Sequence, residues 1–147
     1  MSTRAQVIIK DEFGDELRFY RHSDGYPEGI MPSLEKFLCW VKEGKIKDNV
    51  EQAAGWLILI GAEEYRQRYD GTLKESVTQP SEDYKISGGK CGAFEPCPCR
   101  SLHGDIAYLY EINLHEKSIR EVPSNEWSKY NNHEENNCVY YTGKLVK

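Results

Sequence analysis

The stretch FYRHSDGYPEG, residues 19–29, combines a turn signal with side chains that could bind a ligand. Three of its side chains can contact an anion or stack on an aromatic base, namely Arg21, His22 and Tyr26, and Asp24 lies among them. A loop that leaves a strand and enters a helix is held at both ends, which suits a binding site. The same letters also fit a plain turn, in which Ser23 and Asp24 bond their own backbone and Gly25 supplies a positive φ. The turn does not require Arg21 or His22.

A second His-x-Asp triplet, His103-Gly104-Asp105, repeats the spacing of His22 and Asp24. Two such pairs could provide a general base with its orienting carboxylate, or two pairs of metal ligands. If the two loops meet, Arg100 would add a cation to the site. The chain has no P-loop, no Gly-x-Ser-x-Gly elbow, no His-Glu-x-x-His and no dinucleotide fingerprint.

The segment CGAFEPCPCRSLH contains three thiols and an imidazole, which are ligands that zinc prefers: Cys91, Cys97, Cys99 and His103. Familiar zinc modules begin with two cysteines separated by two to four residues, and Cys-Pro-Cys departs from that spacing. We therefore expect no metal and no cofactor, and keep a zinc site as the alternative. In the other interpretation, Pro96 and Pro98 stiffen an ordinary loop.

Composition and charge exclude several classes of protein. A net charge of −5 and a pI near 5.4 argue against DNA or an anionic membrane as a partner, because both require a clustered basic excess. The longest apolar stretch, 53–62, is shorter than the roughly 20 residues that span a bilayer. The opening residues contain no apolar segment typical of a signal peptide, and five unevenly placed cysteines favour reduced thiols. We expect a cytoplasmic protein with one domain over residues 1–147.

Periodicity predicts the α+β class, with a mainly antiparallel sheet and two inserted helices packed on one of its faces. The sheet comprises an N-terminal hairpin over 5–22 and three or four C-terminal strands, predicted within 91–95, 105–114, 118–122 and 138–146. The first helix begins at Pro32 and ends at Gly44, and the second runs from a capping box at Asp48 and Glu51 to about Tyr69.

The second predicted helix is apolar on all sides in its centre, 53–62. Such a helix is buried on most of its surface, against a sheet or against another copy of the chain. Gly55 and Gly61 reduce its helix propensity, and close approach of another backbone would compensate. We therefore expect a homo-oligomer.

Three segments, YRHSDGYPEGIMPSLEKFL, GAFEP and HGDIAYLYEINLHEKSI, resemble a group of small uncharacterised proteins encoded by phages and prophages. The resemblance covers about three-quarters of the chain and excludes the polar stretch 70–90 and the tail. It implies a context: small accessory phage proteins are frequently counter-defence factors, and some sequester nucleotide second messengers without chemistry. No residue role follows from the resemblance.

Taken together, these observations predict a non-enzymatic protein that binds a small anionic ligand, with a nucleotide as the best candidate. The predicted pocket comprises Arg21, His22, Asp24, Tyr26, Arg100, His103 and Asp105. One alternative is a metal-dependent phosphodiester hydrolase that uses the two His/Asp pairs. The other is a protein that blocks a host factor through an acidic surface with ten tyrosines and needs no pocket.

Overall fold

The computed structural model describes residues 3–68, 92–98 and 101–131. The strands are β1 (Ala5–Lys10), β2 (Glu16–Arg21), β3 (Glu95–Pro96), β4 (Tyr108–Asn113) and β5 (Ser118–Glu121). The helices are α1 (Pro27–Lys42) and α2 (Val50–Arg68), followed by a 3-10 helix at Ser124–Tyr130. This arrangement confirms the α+β class. The strand predicted over 138–146 lies outside the described residues.

The five strands form one mixed sheet in the order β3-β2-β1-β4-β5. Strands β1 and β2, β2 and β3, and β4 and β5 pair antiparallel, whereas β1 and β4 pair parallel. The prediction of a mainly antiparallel sheet therefore holds except at β1 and β4. Both helices lie between β2 and β4 in the chain, and a connection of that length can bring a strand back in the parallel direction.

The helix boundaries differ from the prediction at both N-termini. Helix α1 begins at Pro27 rather than Pro32, because the first of the two prolines already supplies the fixed φ of a first helical position. It ends before Gly44, the predicted terminating residue, which has a left-handed backbone with a φ of 77°. In α2 the cap is Asn49 rather than Asp48: Asn49 Oδ1 accepts from the Gln52 N–H at 2.9 Å.

The sheet is covered on both faces, but unequally. The helices pack on the face that carries Val7 and Phe19 and build the main core there. A smaller core forms on the opposite face, where the 3-10 helix sets Tyr130 beside Leu109. Near β2, the face opposite the helices carries the polar and aromatic groups of the candidate site. We call this face of the sheet, which α1 and α2 do not cover, the open face.

The two glycines of α2 have different surroundings. A Cβ on Gly61 would lie 2.6 Å from Phe94 Cδ2 and 2.7 Å from Ala93 Cβ, so side chains of the segment before β3 approach this glycine closely, where the prediction expected another backbone. Around Gly55, no atom of the described residues lies within 4 Å of the equivalent position. No helix in the described part of the chain is long and apolar enough to cross a membrane.

Candidate functional site

The centre of the site is a stacked pair of rings, Tyr20 and His103, with centroids 4.3 Å apart and planes 18° from parallel. Tyr20 projects from the open face of β2, where it pairs in register with Gln6 of β1. Gln6 also holds the second ring, since its Oε1 accepts the backbone N–H of His103 at 2.8 Å. His103 is an exposed residue.

Three polar side chains surround the hydroxyl end of Tyr20. The hydroxyl lies 3.2 Å from His22 Nδ1 and donates to Asp105 Oδ2 at 3.4 Å. Arg4 Nε lies 3.2 Å from the same Asp105 oxygen, with side chains 35% and 51% exposed. We call Arg4, Tyr20, His22, His103 and Asp105 the open-face cluster. It joins the two His-x-Asp loops, which the sequence alone could not place together.

The electrostatics of the cluster keep Tyr20 protonated. Burial raises the pKa of the Tyr20 phenol, and the neighbouring Asp105 carboxylate raises it further, while the Arg4 guanidinium acts in the opposite direction. Arg4 Nε itself is buried, and within the described residues it makes no hydrogen bond of acceptable angle despite its short distance to Asp105. Because Nε is buried, only the remaining, partly exposed portion of the Arg4 side chain can face a ligand.

Cys97 borders the cluster. Its Sγ accepts from Gln6 Nε2 at 3.3 Å and lies 3.9 Å from His103 Nε2. Burial raises the pKa of this thiol, so it is held in the neutral form. The structure therefore brings together two of the four predicted zinc ligands. Cys91 and Cys99 lie outside the described residues, and within the described ranges no three His, Cys, Asp or Glu side chains are close enough to share a metal ion.

Arg21 points to the helix side of the sheet, away from the open-face cluster. Its side chain is 0% exposed, and its Nη2 lies 2.5 Å from Glu64 Oε2 on α2. Its Nε donates to the carbonyl of Ser23 at 2.9 Å and to that of Asp24 at 3.3 Å. The guanidinium also lies 5.2 Å from the centroid of the Phe94 ring. This geometry gives Arg21 a role in the fold, and we leave it out of the proposed site.

The loop after Arg21 is organised as a turn. Asp24 has a φ of 58°, and the Tyr110 hydroxyl donates to the Gly25 carbonyl at 2.7 Å. The Tyr26 hydroxyl is 3.4 Å from Asp24 Oδ1, so the described contact of this phenol is within the loop and not with His103. Arg100 lies outside the described residues. Of the seven predicted ligand-binding residues, the cluster contains His22, His103 and Asp105.

Sequence reasoning did not include Arg4 and Tyr20 in the site. Tyr20 could have been found from the alternation of β2, because residues two apart on a strand share a face and Tyr20 precedes His22 by two. Arg4 could not have been found from such alternation. Its position beside Asp105 depends on the parallel pairing of β1 with β4, where Ala5 lies opposite Tyr108. Strand order is set by the whole fold and leaves no local signal.

Comparisons with protein families, with curated proteins and with solved structures found no match to this chain.

Proposed function

We propose that this protein binds a small anionic ligand that contains an aromatic ring, with a nucleotide as the best candidate, and that it does so without chemical turnover. The observation that supports this proposal is the exposed His103 ring stacked on Tyr20, with the Arg4 guanidinium beside the same tyrosine hydroxyl. A ring face and a cation in one place are what a base and a phosphate require.

In this proposal the base stacks on the outer face of His103. Base stacking on an aromatic side chain contributes about 1–3 kcal/mol per base, and Tyr20 supports the imidazole from behind, so the platform exists before the ligand arrives. A phosphate oxygen accepts from Arg4 and from His22. The Asp105 carboxylate would repel that phosphate, and it therefore accepts from a ribose hydroxyl or an exocyclic amine instead.

The state of Cys97 favours binding over catalysis. A thiol beside an imidazole could act as a nucleophile, but the thiolate is the reactive form. Burial keeps the Cys97 thiol protonated by raising its pKa, which outweighs the opposite effects of the Gln6 amide and of Arg18. The metal-dependent hydrolase gains no support from the described residues, because His22, Asp24, His103 and Asp105 do not form a group that could hold a metal ion.

The biological setting follows from the sequence resemblance alone. By analogy with the phage and prophage proteins that it resembles, this chain would act in the cytoplasm of an infected cell and would sequester a nucleotide signal of host defence. The cysteine usage supports a reducing compartment. A binding protein with no turnover fits this role, since sequestration needs affinity and stoichiometric amounts of protein only.

Native mass spectrometry of protein purified without added metal tests the proposal first. It reports any co-purified molecule of nucleotide mass. Isothermal titration then measures affinity for a panel of purine and pyrimidine mononucleotides, cyclic mononucleotides and cyclic dinucleotides. We expect at least one to bind, and expect Arg4→Ala and His103→Ala to weaken it by about 10-fold or more each.

The chain offers a matched control for these variants. His115 is an exposed histidine that pairs with Glu12 at 2.9 Å in the turn between β4 and β5, and His115→Ala should leave affinity unchanged. Absence of binding across the panel, or equal loss in His103→Ala and His115→Ala, would contradict the proposal. Capture of a host protein by the native chain, with no nucleotide bound, would instead favour the protein-blocking alternative.

A further inference from the structure

The outer surface of the helical layer contains an apolar groove between α1 and α2. Its volume is about 460 Å³, and it is lined by Lys36, Trp40, Trp56, Leu59, Ile60, Ala62 and Glu63. The helices lie on the face of the sheet opposite the open-face cluster. The groove is therefore separate from the proposed ligand site.

The side chains of this groove are unusually apolar for an exposed surface. Leu59 is 58% exposed and Trp56 is 43% exposed. Trp56 meets the ring of Trp40 edge to face, with centroids 6.1 Å apart, so the two indoles form a preformed wall. Exposed aromatic and aliphatic side chains grouped in a concave surface are typical of a protein contact.

The groove has one charge of each sign, placed on opposite walls. Lys36 lies one helical turn before Trp40 on α1, and its Nζ is 5.2 Å from the centroid of the Trp40 ring. Glu63 lies one turn after Leu59 on α2. Opposite charges on opposite walls make the surface complementary to itself, because a two-fold contact places each wall against the other.

We propose that a second copy of this chain packs on the groove, about a two-fold axis that runs parallel to α1 and α2. Such an axis sets α1 of one copy against α2 of the other. Lys36 of each copy then faces Glu63 of the second copy, which gives two ion pairs at the edges of an apolar centre. Leu59 and the two tryptophans from both copies fill that centre, and the four helices form a two-layer bundle.

The charge pattern selects this occupant over an unrelated peptide. A peptide helix would need its own matching charges, whereas the second copy provides them by symmetry. The contact would also bury both sides of the apolar centre of α2. The inner side packs on the core through Leu57, and the outer side would pack on the second copy.

Charge reversal gives a specific test of this arrangement. Lys36→Glu alone would place two glutamates together at both edges, and Glu63→Lys alone would place two lysines together there. We expect each variant to weaken self-association by about 100-fold, measured by sedimentation velocity over a concentration series. An equimolar mixture of the two variants pairs opposite charges again and should form a heterodimer.

Two neighbouring residues of α2 distinguish a specific contact from nonspecific hydrophobic association. Leu59 lines the groove, and the neighbouring Ile58 is 41% exposed but does not line it. Leu59→Glu should yield a monomer, while Ile58→Glu should dimerise like the native chain. Circular dichroism of each variant checks that the helices are retained.

Three results would overturn the inference: a native chain that stays monomeric over the whole series, a mixture of the reversed variants that does not associate, or equal effects of Leu59→Glu and Ile58→Glu. Nucleotide binding is not part of this test. A failure here therefore leaves the proposed ligand site standing, and failure of that site leaves the dimer standing.

Discussion

The Tyr20 ring stacks on the His103 ring with centroids 4.3 Å apart, and this contact joins strand β2 to the loop before β4. Both rings depend on β1, because Gln6 pairs with Tyr20 in the sheet and accepts the backbone N–H of His103. The central strand thus positions the candidate site without adding an aromatic ring to it. The two His-x-Asp loops meet here through Tyr20, which belongs to neither motif.

Arg21→Ala should destabilise the protein by about 3–5 kcal/mol, because it leaves the partly buried Glu64 carboxylate without its guanidinium partner. Denaturation with urea measures the change in the free energy of unfolding. Ligand affinity of the variant at low temperature, where it remains folded, should match that of the native chain.

Glu64→Gln is the companion variant. It retains an oxygen for the Ser33 hydroxyl, which lies 2.7 Å from Glu64 Oε1, but loses the charge. We expect a smaller loss of stability than in Arg21→Ala. An Arg21→Ala protein of native stability that no longer binds nucleotide would return Arg21 to the ligand site and contradict its structural role.

The stability of the protein should fall as the pH rises above about 10, the ordinary pKa of tyrosine. Burial raises the pKa of Tyr110 well above this value, and its hydroxyl donates to the Gly25 carbonyl. The folded chain therefore keeps a proton that the unfolded chain loses above pH 10. For this one group the free energy of unfolding should fall by about 1.4 kcal/mol per pH unit above 10, with no effect below.

Tyr110→Phe isolates that contribution. The variant should be less stable at pH 7, since the Gly25 carbonyl loses its donor, but its stability should fall less steeply between pH 10 and 11 than that of the native chain. Urea denaturation at the two pH values gives both quantities. Parallel curves for the two proteins above pH 10 would refute the assignment.

The two glycines of α2 should respond to alanine in opposite ways. A Cβ at Gly61 would overlap Phe94 and Ala93, so Gly61→Ala should cost about 1–3 kcal/mol despite its better helix propensity. Gly55→Ala meets no described atom and should stabilise the chain by about 1 kcal/mol. Thermal or urea unfolding compares them, and a stabilising Gly61→Ala would show that the segment before β3 does not pack on α2.

Cys97 should react slowly with iodoacetamide at neutral pH. Its partial burial limits access and its raised pKa limits the thiolate fraction. The exposed Cys39 serves as the internal reference: its hydrogen bond to Glu43 raises its pKa too, so we expect Cys97 to be modified more slowly because it is less exposed. Peptide mass spectrometry resolves the two sites. Modification of Cys97 as fast as Cys39 would mean that the thiol is open to reagents and would reopen a catalytic role.

Local patterns predicted much of the fold. They predicted the N-terminal hairpin over 5–22, which contains β1 and β2, and a first helix that ends at Gly44, as α1 does. The first turn of α1 was not predicted, because either Pro27 or Pro32 could occupy the first helical position. The cap of α2 was shifted by one residue because Asp48 and Asn49 are both good capping residues.

Long-range pairing explains the rest of the differences at the site. Arg21 was predicted to bind an anion because arginine often does, but its neighbour in space is Glu64, and a loop sequence contains no information about that helix. His22 and His103 were both assigned to the predicted pocket, but the sequence left open whether their loops meet; in the structure each of them contacts Tyr20. The parallel pairing of β1 with β4 places Arg4 beside Asp105, and no periodicity in the sequence predicts that pairing.

Nitrogen-15 NMR of the histidine side chains is the sharpest test of nucleotide binding at this site, because His22 and His103 belong to the open-face cluster and His115 does not. The nucleotide panel is titrated into uniformly labelled protein. We expect one nucleotide to shift the imidazole resonances of His22 and His103 in a saturable way and to leave His115 unmoved. Equal shifts of His22, His103 and His115, or no shift of His22 and His103 with any nucleotide, would contradict the proposed site.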